Sequence, residues 1–199
     1  MQLFLIRHGM TKGNLEKRYI GCSDEVLCQE GIRQLEEKRN TGIYREIPSD
    51  AVVWCSPKKR CIQTAQILFG KREIKIEDRL RECEFGDWEG KNYMDLRNDP
   101  RYQKWIDSGG TISVPNGEEM QAGKERAGQA CREILRWEQK EKNYVFVVHG
   151  GTIMAILEQF GYPKKGYYDY QCSNGEGYIC VAEQDENNSP ILRVQRRLQ

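Results

Sequence analysis

Gln2-Leu3-Phe4-Leu5-Ile6-Arg7-His8-Gly9 carries an uninterrupted apolar run that ends on a guanidinium, an imidazole and a glycine. Four consecutive apolar side chains without alternation are the mark of a strand covered on both faces, as in a parallel sheet between helices. The pattern returns at Tyr144-Val145-Phe146-Val147-Val148-His149-Gly150-Gly151, and without histidine at Ala51-Val52-Val53-Trp54-Cys55-Ser56. Apolar residues at helical spacing fill the intervals: Glu30 to Arg39, Lys58 to Phe69, and a long stretch from Glu118 to Lys140 that includes Cys131, Ile134 and Trp137. Thr152 to Phe160 follows the last buried strand directly, and two or three strands close the chain around Gly177 to Glu183 and Ile191 to Arg196. Strand, helix, strand, helix predicts an α/β three-layer sandwich, its central sheet mostly parallel with helices on both faces.

At 199 residues, with no repeat and no linker, the chain is expected to form a single domain. Residues 83–117 are the least regular part; they read either as a cap inserted over a site or as a surface excursion with its own aromatic cluster. Charged side chains make up 31% of the sequence, yet they balance to a net charge of +1. That balance gives no electrostatic case for nucleic acid or an anionic membrane as partner. The N-terminal apolar run is far shorter than the roughly 20 residues of a membrane span, so a cytoplasmic protein is expected. None of the eight cysteines forms a Cys-x-x-Cys pair, and reduced thiols packed as small apolar groups are expected.

The two histidines have matching settings: His8 and His149 each follow a buried strand and precede glycine, which lets the backbone turn toward a ligand. The carboxyl edge of an open α/β sheet is where ligands bind. No His-x-x-x-His or Asp-x-His spacing accompanies them, so neither a metal nor a cofactor is expected. The chemistry left is an anion pocket in which one imidazole attacks phosphorus and the other donates a hydrogen bond. Arg7 supplies a planar fork of donors beside His8. After the third strand, Ser56 and Pro57 read as the cap and first turn of a helix, whose N-terminus favours an anion, with Arg60 one turn in.

Leu5-Ile6-Arg7-His8-Gly9-Met10-Thr11-Lys12-Gly13-Asn14 resembles the N-terminal signature of the histidine phosphatase superfamily, whose fold is that of the phosphoglycerate mutases. Ser56 to Ala65 resembles its second-arginine motif. Leu80-Arg81-Glu82 with Phe85-Gly86-Asp87-Trp88-Glu89-Gly90 resembles its acidic motif, and Val147 to Gly151 its second-histidine motif. The resemblance implies that His8 is the nucleophile and becomes phosphohistidine, and that Arg7, Arg60 and His149 hold the phosphoryl oxygens. Asn14 and the N–H of Gly150 would add donors. Glu82 would protonate the leaving group and then activate water, with Glu84 as runner-up. Three positions depart from the common pattern: Met10 for Glu, Val148 for Ser and Cys61 for Ala.

His149 follows Glu82 by 149 − 82 = 67 positions, short for a mutase of the family. The chain is therefore read as a metal-independent phosphomonoesterase acting on a small phosphorylated metabolite. Mutase-type phosphoryl transfer and non-catalytic binding of a phospholigand are the alternatives. The run from Phe85 to Gly90, with Asp99-Pro100, Tyr102, Trp105 and Asn116-Gly117-Glu118, is similar to the alpha-ribazole phosphatases. This makes alpha-ribazole 5′-phosphate the leading named substrate, ahead of sugar phosphates and nucleotides. Trp88, Tyr102 or Trp105 would stack on its flat base if they are not simply packed in a core.

Overall fold

A computed structural model describes residues 1–136 and 142–199. The strands are β1 (Gln2–Arg7), β2 (Val52–Cys55), β3 (Ile74–Ile76), β4 (Tyr144–Val148), β5 (Gly161–Tyr162), β6 (Gly177–Gln184) and β7 (Pro190–Leu198). The helices are α1 (Lys12–Leu15), α2 (Gln29–Thr41), α3 (Lys59–Phe69), α4 (Tyr93–Leu96), α5 (Pro100–Asp107), α6 (Met120–Arg136) and α7 (Gly150–Phe160). The strands form one sheet in the order β3-β2-β4-β1-β6-β7-β5. β3, β2, β4 and β1 run parallel; β6 opposes both β1 and β7, while β5 lies parallel to β7. The mostly parallel sheet agrees with the reading of the buried runs.

Alternation along the central strands divides the core in two. Leu3, Leu5, Phe146 and Val148 face one side, where they meet α6 and α7 through Ala127, Cys131, Ile153 and Ile156. Phe4, Ile6, Val145 and Val147 face the other and meet Cys61 and Ala65 of α3, with Tyr44 and Ile47. Every residue of β4 is buried, which is why the strand reads as continuous apolar sequence. Helix α6 begins at Met120, two residues after the expected Glu118, and the expected stretch from Trp137 to Lys140 lies outside the described residues.

A third cluster belongs to residues 83–117. Trp88, Leu96, Tyr102 and Val114 pack with Tyr19, Phe85 and Trp105, and the hydroxyls of Tyr19 and Tyr102 lie 2.7 Å apart. Trp88 and Tyr102 are 1% and 3% exposed, so neither offers a face to a ligand. All eight cysteines are free. Among the described residues no helix is long and apolar enough to cross a membrane.

Candidate functional site

The strand order explains how distant residues meet. β2, β4 and β1 are neighbours, and their registers pair Cys55 with Val147 and Arg7 with Val148. The chain therefore leaves the sheet at Ser56, His149 and His8 side by side. The ladder runs one bond beyond the strands, with His8 N–H donating to Val148 O (2.9 Å) and Ser56 N–H to Val147 O (3.1 Å).

His8 is 4% exposed and His149 fully buried, their ring centroids 5.2 Å apart. His8 Nδ1 lies 2.7 Å from Gly9 O, an acceptor only, so Nδ1 carries the proton and Nε2 keeps its lone pair. His149 Nδ1 accepts from Arg60 Nε (3.3 Å), which places its proton on Nε2, directed at Ser56 Oγ 2.7 Å away. Burial holds the pKa of both rings well below the ordinary histidine value; Arg60 and then Arg7 add to this at His8, and Arg60, His8 and Arg7 at His149. Both imidazoles are therefore neutral at pH 7.

The two arginines have unusual partners. Arg60 is fully buried on the first turn of α3 and donates to Ser23 O (2.7 Å), Gly21 O (3.1 Å) and Ile20 O (3.4 Å). Arg7, half-buried at the end of β1, donates through Nη1 to Cys172 O (2.7 Å). Its Nε is buried with no partner among the described residues, and the backbone at Gly150 faces it. Carbonyls neutralise no charge, and among the described residues neither guanidinium has a carboxylate within ion-pair distance. Two such cations beside two neutral imidazoles make an anion pocket.

The remaining candidates surround this centre. Asn14 Oδ1 accepts from Thr11 N (3.1 Å) and Asn174 Nδ2 (3.1 Å), which turns its own NH₂ away from both donors. Glu82 Oε2 accepts from Gly151 N (3.0 Å), so its carboxylate sits on the first turn of α7 beside Gly150 and His149. Glu84 is exposed, and Glu89 is bound elsewhere, to the N–H groups of Gly21 and Ser23. A cleft of about 700 Å³ opens next to Arg7, lined also by Met10, Lys38, Tyr168, Asn174 and Arg197.

Two residues have parts that their sequence setting does not give away. Ser56, read as a helix cap, meets His149 at 2.7 Å and accepts only a long bond from Lys58 N–H (3.4 Å); α3 starts at Lys59, and its cap residue Lys58 makes no side-chain cap bond. Asn174 donates to His8 O (3.0 Å) and to Asn14, yet Asn174-Gly175 reads only as a turn before a strand.

The chain is similar to known proteins over most of its length. It is 27% identical over 180 residues to the adenosylcobalamin/alpha-ribazole phosphatase of Escherichia coli (strain K12), covering 88% of this chain and 87% of that one. The crystal structure of the alpha-ribazole phosphatase from Shigella flexneri superposes with a TM-score of 0.79 at 27% identity, over 98% of this chain and 95% of that one. A phosphoserine phosphatase from Entamoeba histolytica, solved with 3-phosphoglyceric acid, gives a TM-score of 0.76 at 26% identity over 96% and 94%. The family model of the histidine phosphatase superfamily (branch 1) matches residues 3–195, and the chain belongs to that family.

Proposed function

We propose that the protein is a phosphomonoester hydrolase that works through a phosphohistidine on His8, without a metal ion, on a small phosphorylated metabolite. The observation that carries this reading is the pair of uncompensated guanidinium groups, Arg7 and Arg60, set against the neutral ring of His8. Nε2 of His8 attacks phosphorus in line while Nδ1–H stays on Gly9 O. Arg7 Nε, the NH₂ of Asn14 and the N–H of Gly150 take the equatorial oxygens; Arg60 adds its charge behind them, and His149, held between Arg60 and Ser56, packs beside His8. Glu82 protonates the leaving oxygen and then takes a proton from the water that cleaves the phosphohistidine.

The leaving group extends into the cleft beside Arg7, which residues 83–117 approach through Gly110, set against Tyr168. Alpha-ribazole 5′-phosphate is the first substrate to test, because proteins acting on it are among the similar structures. Tyr168, exposed on that cleft, would supply the aromatic face that Trp88 and Tyr102 do not. Turnover of p-nitrophenyl phosphate in excess EDTA tests the reaction. Wild type is expected to hydrolyse it undiminished and His8→Ala not at all. Wild-type turnover lost only with chelator makes it a metal enzyme, and equal activity of the two proteins removes His8 as nucleophile.

A further inference from the structure

The segment Ile20-Gly21-Cys22-Ser23 is a strap laid between charges of opposite sign. Its carbonyls point toward α3: those of Ile20, Gly21 and Ser23 accept from the Arg60 guanidinium, and that of Cys22 from Lys58 Nζ. Its amides point the other way, into the Glu89 carboxylate. Gly21 N–H donates to both oxygens (2.9 and 3.1 Å) and Ser23 N–H to Oε1 (3.0 Å), while Phe85 N–H reaches Oε2 (3.4 Å). Burial pushes the Glu89 carboxyl up, but the N–H groups of Ser23, Gly21 and Phe85 outweigh it and hold the group below its ordinary range. The strap has no slack. Tyr19 and residues 90–91 exchange backbone bonds of 2.9 and 2.8 Å at its near end, and a Cβ on Gly21 would fall 1.9 Å from Cys83 O.

A peptide unit is planar, so its N–H and C=O move together: Gly21 N–H on Glu89 with Ile20 O on Arg60, and Ser23 N–H on Glu89 with Cys22 O on Lys58. Fixing the amide edge with charge-assisted bonds fixes the carbonyl edge as well. Arg60 reads that edge with a rigid fork, and its Nε meets His149. We propose that Glu89 is a positioning residue: through the strap 20–23 it sets where the Arg60 guanidinium lies relative to His149 and the phosphoryl group. The catalytic consequence rests on the hydrolase reading above; the mechanical link does not.

Two measurements on the whole protein test it. In wild type, Arg60 Nε–H is buried and hydrogen-bonded, which gives it a protected ¹⁵N–¹H resonance, assigned by its loss in Arg60→Lys. Glu89→Gln replaces one acceptor oxygen by a donor that faces another N–H, and is expected to shift and broaden that resonance. With p-nitrophenyl phosphate, Glu89→Gln is expected to lower kcat by about 10- to 100-fold, the order of loss for a misplaced charge-stabilising group, while KM moves little. In an Arg60→Lys background the same change is expected to have little further effect, because the group it positions is gone. An unchanged resonance, or a kcat loss that multiplies in full in the double variant, overturns the proposal. If wild type lacks turnover but the Arg60 resonance moves in Glu89→Gln, the hydrolase reading fails and the positioning role stands.

Discussion

At the scale of single residues, the tautomers of the two histidines follow from their neighbours. A carbonyl against His8 Nδ1 and a guanidinium against His149 Nδ1 leave each proton one place to go. Glu82 is a separate case, since its carboxylate accepts the Gly151 N–H at the start of α7 and its role is to carry a proton. Glu82→Gln is expected to lower kcat by roughly 10²- to 10⁴-fold on an alkyl phosphate, the range of a lost general acid. p-Nitrophenolate leaves without a proton, so the first step on that ester is spared. Rapid mixing is then expected to show a burst of nitrophenolate before slow turnover, because water still needs a base. A steady state with no burst and wild-type rate would remove Glu82 from both steps. Arg7, His8, Arg60 and His149 were legible because each sits at a strand end or on the helix just beyond it. Ser56 and Asn174 were not, because their partners lie 93 and 166 positions away.

At the scale of elements, the start of α7 shows why glycine follows His149. A Cβ on Gly151 would fall 2.3 Å from Glu82 Oε1, so the carboxylate docks only where no side chain stands. Gly151→Ala is therefore expected to displace Glu82 and lower kcat by 10-fold or more, on the order of a misplaced proton donor. The same change suits a helical backbone, since alanine is favoured over glycine there by up to about 1 kcal/mol. Activity should fall while the midpoint of thermal unfolding does not; a parallel loss of both would mean that the helix start itself is disturbed. The long elements were readable from spacing alone: β4 spans the residues expected of it, and α3 is shorter by one. β3, with three residues, and α1 and α4, with four each, are too short to carry a period, and tertiary contacts define them.

At the scale of the whole molecule, seating two neutral imidazoles in the core beside two cations ties stability to pH. Both histidines titrate well below their ordinary 6.5 in the folded chain and near it when unfolded. Between those values the unfolded chain binds more protons, so stability rises with pH through that window and is lost as pH falls below about 6.5. The slope for each histidine approaches about 1.4 kcal/mol per pH unit. Carboxylates, with ordinary values of 3.8 and 4.5, join the loss only at lower pH. Urea unfolding at pH 7.5 and 5.5 isolates the histidine contribution, and His149→Gln should shrink the difference between the two by about half. An unchanged difference in that variant would mean that His149 is protonated in the folded protein. The fold class was legible because strands covered on both faces leave an unbroken apolar record. The aromatic cluster of residues 83–117 was legible as one of two readings, but the part of Tyr19, which ties it to the strap, was not, because Tyr19 is distant in sequence from Trp88 and Tyr102. The same connection makes the acid-side loss cooperative: protonating His149 sets a charge against Arg60, and Arg60 holds the strap that Glu89 and the aromatic cluster share. Loss of near-UV signal from the cluster should therefore track loss of the histidine site across the same pH range.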